Sequence, residues 1–210
     1  MENLFNFGLF VFTSFITLVN PLGVMPVFMS MTANLEKKEK RITAVKAIST
    51  AFATLLLFAF GGEFLFHFFG ISTDSLRVVG GVIFFIMGYE MLNARLSSFK
   101  DSPETLTNYV DDISITPLGI PMLAGPGSIT NAIVLMEDAS GFDSTLVFII
   151  ALLITMVVTL LTLWGASEIT KFLGRTGTKI MMKIMGLIVM VIAVEFFFAG
   201  LTPFIRNIIQ

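Results

Sequence analysis

Two short runs rich in proline and glycine interrupt otherwise apolar stretches. One is Asn20-Pro21-Leu22-Gly23, followed by Pro26. The other is Gly125-Pro126-Gly127-Ser128, preceded by Pro117 and Pro121. Proline removes a backbone donor and clashes with the preceding turn, and it pushes the residue before it out of the α region. Glycine costs about 1 kcal/mol in a helix interior. Each run is therefore expected to stop a helix and restart it, near Leu22 and near Gly127. A restarted helix begins with N–H groups that lack an intrahelical acceptor and carry partial positive charge. A carboxylate is a natural ligand there. Gly23, Gly127 and Ser128 are small enough to let a ligand approach the backbone. The hydroxyls of Ser128 and Thr130 and the amides of Asn20 and Asn131 can add hydrogen bonds. The candidate binding set is thus Asn20, Pro21, Leu22, Gly23, Gly125, Pro126, Gly127, Ser128, Thr130 and Asn131. The competing reading is a pair of proline kinks without a ligand, because Pro and Gly are frequent in membrane helices.

A second group of residues can move protons. Glu90 and Glu195 sit inside apolar stretches. Charge at a bilayer centre is costly, so such residues tend to mark a pathway or a proton relay. Burial raises a carboxyl pKa, which suits proton coupling. The alternative is a protonated Glu bridging two helices. Glu63, Glu168 and His67 fall near the ends of their stretches and read as interfacial. Thr50, Thr54, Thr155 and Thr159 form i, i+4 pairs, with helix packing as their first role and substrate lining as their second.

Enzyme chemistry is poorly served. Ser128 has only His67 as a candidate base, no expected span holds an Asp, and His-Glu-x-x-His is absent,. No catalytic residue is assigned. With no cysteine and one histidine, zinc and iron–sulfur ligation have no donors, so neither metal nor cofactor is expected,. A net charge of −2 argues against nucleic acid as a partner,.

The elements that must hold these residues are membrane helices. The chain has 210 residues, 55% apolar and only 13% charged, where a soluble domain carries about 25% charge. Residues 3–35, 113–136 and 144–167 contain no charge at all. A spanning helix needs about 20 mostly apolar residues. Six spans are expected, roughly 4–31, 44–69, 77–94, 113–136, 144–168 and 181–202. A transmembrane β-barrel would alternate apolar and polar residues, and runs such as 148–154 do not. A signal peptide is disfavoured because residues 1–30 contain no Lys or Arg,.

The chain also repeats itself. A shift of 105 positions, half of the 210 residues, superposes Pro21 on Pro126, Thr50 and Thr54 on Thr155 and Thr159, Glu63 on Glu168, Gly81 on Gly186, and Glu90 on Glu195. Apolar coincidences are cheap in such a chain; coincident Glu, Pro, Gly and Thr are not. Three spans per half is an odd number, so the second half enters the membrane from the opposite face. The expected fold is all-α: a polytopic membrane protein of six transmembrane helices, built as two inverted three-helix repeats with spans 1 and 4 broken. The repeats are 1–96 and 113–210, joined by a polar cytoplasmic linker, 97–112. Inverted repeats are common in secondary transporters, and channels use them too.

The motifs Asn20-Pro21-Leu22-Gly23-x-x-Pro26 and Pro117-Leu118-x-x-Pro121-x-Leu123-x-Gly125-Pro126-Gly127-Ser128-Ile129 resemble those of the MarC family of prokaryotic integral membrane proteins. The resemblance covers essentially the whole chain. It implies a prokaryotic cell (inner) membrane location and proton-coupled uptake or exchange of small neutral amino acids such as glycine and alanine. The residues agree in one respect. A zwitterion offers a carboxylate to half-helix N-termini and an ammonium to carbonyls or amides. Expected partners are therefore a small zwitterionic amino acid, protons and the lipid bilayer, and a small bundle is compatible with a homo-oligomer. A passive facilitator and a non-transporting scaffold are the alternatives.

Orientation follows from the cations. Loops 1–2, 3–4 and 5–6 hold Lys37, Lys38, Lys40, Arg41, Lys46, Arg95, Lys100, Lys171, Arg175, Lys179 and Lys183; the other side holds Arg77 and Arg206. By the positive-inside rule the first set is cytoplasmic and both termini lie outside. An alkaline phosphatase fused to the C-terminus is expected to be active, and the same reporter within residues 97–112 inactive. The opposite pattern would reverse the assignment.

Overall fold

A computed structural model describes residues 2–33, 35–93, 106–139 and 141–209. The linker residues 97–105 and the side chain of Glu168 lie outside the described residues. Among the described residues every regular element is a helix. In chain order these are α1 (Glu2–Val19), α2 (Pro21–Met31), α3 (Lys37–Phe69), α4 (Thr73–Leu92), α5 (Leu106–Ile113), α6 (Pro126–Asp138) and α7 (Phe142–Ile209). A wide helical coil of π-type turns, Ser114–Leu123, broken by extended residues at Thr116 (φ −131°, ψ 123°) and Ile120 (φ −131°, ψ 125°), joins α5 to α6. A single non-helical residue, Gly174 (φ 64°, ψ −177°), divides α7 into a first arm, 142–173, and a second arm, 175–209.

Five helical stretches are long and apolar enough to cross a bilayer: Leu4–Met31, Lys37–Phe69, Asp74–Leu92, Phe142–Ala166 and Lys179–Arg206. A sixth arises if Tyr109–Leu123 and Pro126–Asp138, bent by 61° at their junction, count as one span.

The structure departs from the sequence expectation in local ways. The basic stretch 37–43, expected as loop, is the first turns of α3. It is helical because Glu36 and Glu39 form a capping box at its start,. The expected loop between spans 5 and 6 is helical except at Gly174. Pro26, expected to help hold a break, lies within α2 at its sixth position. There it forgoes a single helical bond, the one to the carbonyl four residues earlier.

Polar contacts fasten the start of the fourth span to its neighbours. The Tyr109 hydroxyl donates to the Met31 carbonyl at 2.9 Å. The Ser114 hydroxyl donates to the Val110 carbonyl one turn earlier and lies 3.3 Å from the Thr43 carbonyl of α3. Lys46 pairs with Asp111. The coil itself is sheltered: Ser114, Leu118, Gly119, Met122 and Leu123 are buried, and Gly119 lies against the Thr50 side chain of α3. Irregular backbone at membrane depth survives only with such cover.

A glycine seam joins α4 to the second arm of α7, running antiparallel. A Cβ on Gly81 would lie 2.7 Å from the Ala193 oxygen and 2.8 Å from the Phe197 nitrogen. A Cβ on Gly186 would lie 2.8 Å from the Gly88 oxygen and 2.9 Å from the Leu92 nitrogen. Shifting 81, 88 and 92 by 105 positions gives 186, 193 and 197, so each contact is the other with the halves exchanged. Gly200 closes the seam against the Asp74 carbonyl and Val78 nitrogen. Small residues let backbones approach where no hydrophobic effect drives helices together.

Gly81→Val and Gly186→Val are each expected to destabilise by about 1–3 kcal/mol, the usual cost of overpacking, seen as a lower melting temperature in detergent. Gly165→Ala is the control: nothing lies within 4 Å of the added methyl, so stability should hold or rise.

Candidate functional site

The two interruptions solve the same backbone problem differently. At the first, Asn20 adopts the left-handed region (φ 46°, ψ 68°), which asparagine tolerates better than most residues. The Asn20 carbonyl accepts from Gly23 N at 2.9 Å and Val24 N at 3.1 Å. Its side-chain oxygen accepts from Gly23 N at 3.1 Å. A Cβ on Gly23 would lie 2.5 Å from Asn20 Nδ2, so the glycine makes room for the capping amide. Pro21 has no N–H to satisfy. The α2 N-terminus is largely capped from within the chain. Pro21 and Gly23 are buried, Asn20 is half-buried, and Leu22 is 67% exposed.

At the second interruption the capping position is Gly125 (φ −83°, ψ 170°), which has no side chain to offer. Pro126 occupies the first helical position. The helix closes with Ile129 N donating to the Gly125 carbonyl at 2.8 Å. Helix geometry leaves the Gly127 and Ser128 N–H groups without intrahelical acceptors. Ser128 and Thr130 are 2% and 6% exposed. Thr130 Oγ1 and Asn131 Nδ2 are buried with no hydrogen-bond partner.

Among the described threonines, Thr13, Thr17, Thr32, Thr43, Thr145, Thr155, Thr159, Thr162 and Thr202 donate to the carbonyl four residues earlier. Thr50, Thr54 and Thr130 do not; Thr50 and Thr54 are half-buried, whereas the Thr130 hydroxyl is fully buried. A buried polar group left unpaired costs about 1–3 kcal/mol, and native folds leave few of them. Thr130 and Asn131 follow one another within the first two turns of a helix whose own first donors are bare,.

The space above this helix start is not open. The Phe84 Cζ atom lies 2.8 Å from where a Gly125 Cβ would be. Phe196 Cζ lies 2.6 Å, and Leu18 Cδ2 3.3 Å, from the corresponding point on Gly127. Gly80 packs on the Pro126 ring. Gly127, expected to let a ligand approach the backbone, lies against the Phe196 ring, and Gly125 lies against the Phe84 ring. Phe84, Phe196, Gly80 and Leu18 lie outside the expected set of site residues. With 23 phenylalanines in the chain, only the packing singles these two out.

Leu18 lies two residues before Asn20, so it links the first interruption to the second. Glu90 is half-buried and Glu195 exposed, and neither joins an ion pair among the described residues. Glu63 and His67 are exposed near the end of α3. Thr155 and Thr159 are buried and bond their own helix, which matches a packing role. Among the described residues no group of three His, Cys, Asp or Glu is placed to hold a metal.

Fold and site together describe an all-helical, multi-pass membrane protein with a donor-rich interruption in its interior. The family model for MarC family integral membrane proteins matches residues 5–205, and the chain belongs to that family. It is 37% identical over 191 residues to a UPF0056 membrane protein of Methanocaldococcus jannaschii, covering 90% of this chain and 93% of that one. A UPF0056 membrane protein of Pyrococcus horikoshii is 35% identical, covering 91% and 92%. The UPF0056 membrane protein YvbG of Bacillus subtilis is 33% identical, covering 94% and 95%. No solved structure gives a significant match.

Thr130→Val is expected to leave the melting temperature unchanged or higher, because its hydroxyl has no bond to lose. A fall equivalent to about 1 kcal/mol or more, the worth of a buried hydrogen bond, would instead assign it a structural partner.

Proposed function

We propose that this protein is a secondary transporter of small neutral amino acids, proton-coupled, in the prokaryotic inner membrane with both termini outside. The observation that carries the reading is the α6 N-terminus, where bare backbone donors are followed on the same helix by the unpartnered Thr130 Oγ1 and Asn131 Nδ2. These groups suit a carboxylate. No Lys or Arg lies in α6 or the Ser114–Leu123 coil to demand a more strongly anionic ligand.

The architecture proposed is two inverted three-helix repeats with spans 1 and 4 broken. Exchange of the Gly81 and Gly186 contacts under the 105-residue shift supports the repeat. The left-handed Asn20 and the 61° bend support the breaks. Glu90 and Glu195 are the proton-coupling candidates, being carboxylates within spanning helices. The Asn20–Gly23 turn contributes to the site through Leu18 and the adjoining backbone, and α6 supplies the carboxylate donors.

The experiment is uptake of labelled glycine and alanine into proteoliposomes, with and without an imposed proton gradient. Gradient-driven accumulation is expected. Thr130→Val should cut uptake at least about tenfold, the discrimination expected when a buried donor to the substrate is lost. Glu195→Gln or Glu90→Gln should abolish the response to the gradient. Equilibration without accumulation would replace the transporter with a facilitator. Absence of flux from folded protein would refute the amino-acid reading.

A further inference from the structure

Building on the amino-acid reading above, we propose that Phe84 and Phe196 form an aromatic stopper over the α6 N-terminus. The pair sets the largest side chain that the site accepts. Both rings meet the helix start end-on, Phe84 through Cζ at Gly125 and Phe196 through Cζ at Gly127, on either side of Pro126. Only glycine at both positions lets them descend so close. The rings contact each other edge to face, with centroids 6.1 Å apart and planes at 78°.

Their position is chemically mismatched in a useful way. A ring C–H edge offers nothing to an N–H donor, and an N–H against a ring face is at best a weak bond. The rings keep hydrocarbon and water away from the Gly127 and Ser128 donors without satisfying them. A carboxylate that enters beside the rings recovers those bonds.

The cover occurs only where the donors are bare. The 105-residue shift pairs Phe84 with Val189 and Phe196 with Met91, so the α2 start has no aromatic pair at the corresponding places. There Asn20 accepts from Gly23 N and Val24 N, leaving Leu22 as the one first-turn N–H without an acceptor. The rings also belong to one unit. Phe84 is on α4 and Phe196 on the second arm of α7, and the glycine seam locks these helices together. An amino acid held by its carboxylate at α6 directs its side chain into space bounded by the two rings. Hydrogen or methyl fits beside them; a branched or aromatic chain competes with them.

The chain has no cysteine, which permits a readout independent of transport. Ser128→Cys is made alone and combined with Phe84→Ala, Phe196→Ala or the control Phe198→Ala, whose ring is 59% exposed. Labelling of the introduced thiol by a small maleimide is expected to be slow in Ser128→Cys alone. It should quicken by about an order of magnitude when either stopper ring is removed, since thiol reaction rates follow access, and stay slow in the control. In the Ser128 background, leucine should inhibit alanine uptake about tenfold better in Phe84→Ala and Phe196→Ala than in wild type, the scale of pocket-size discrimination. Phe84→Leu and Phe196→Leu replace any alanine variant that fails to fold.

Unchanged thiol labelling, or an unchanged leucine-to-alanine ratio with uptake intact, overturns the stopper. Loss of all amino-acid uptake in wild type overturns the transport reading instead. The labelling series then still decides whether the rings cover the helix start.

Discussion

Backbone N–H and C=O groups have no water to bond in a bilayer core, and that constraint governs every departure from helix in this chain. Regular helix satisfies them within each span, so α3, α4 and the arms of α7 need little beyond apolar faces and small residues at their contacts. The longest departure within the described spans is sheltered. The Ser114–Leu123 coil is pressed against α3, with Gly119 on the Thr50 side chain and Ala124 N donating to the Gly119 carbonyl at 2.9 Å. Remove the shelter and the coil has no viable place in lipid.

The two interruptions show how one constraint yields two outcomes. They fall in register under the 105-residue shift, with Pro21 over Pro126. One residue decides between them. Asparagine at position 20 can enter the left-handed region and return its amide oxygen to Gly23 N. Glycine at position 125 has no side chain to return. The first helix start is therefore finished by the chain itself. The second is left with donors that nothing in the described structure accepts from. Similar sequence signals at equivalent positions thus carry different chemistry: a side-chain cap at the first and bare donors at the second.

Much of this is legible in residue order. The stretches without charge mark the spans, and Asn20-Pro21 and Gly125-Pro126 mark where helices restart, because proline at a first helical position is compatible with the helix that follows it. Thr130 and Asn131 stand out for their hydrogen-bonding groups, and they are the two that the packing leaves unpaired. What is not legible depends on which way side chains face. Phe84 and Phe196 are indistinguishable in sequence from Phe64 and Phe198, which are 71% and 59% exposed. In lipid an apolar residue can face outward at no cost, so hydrophobic periodicity cannot sort core from surface. Gly23 and Gly127 illustrate the same limit: small size announces a close approach, but to the Asn20 amide and the Phe196 ring.

The glycine seam gives these local features a mechanical context. Backbone-close contacts at Gly81, Gly88, Gly186 and Gly200 bind α4 to the second arm of α7. Close-packed interfaces shift between discrete arrangements rather than deform continuously, so this pair is expected to move as one body. Both rings over the α6 start ride on it, as does Gly80 against Pro126. Glu90 and Glu195 ride on it too, one on each helix. A displacement of the pair relative to α6 would therefore carry both rings, Gly80 and its contact with Pro126 in a single step, because all three ride on one close-packed support.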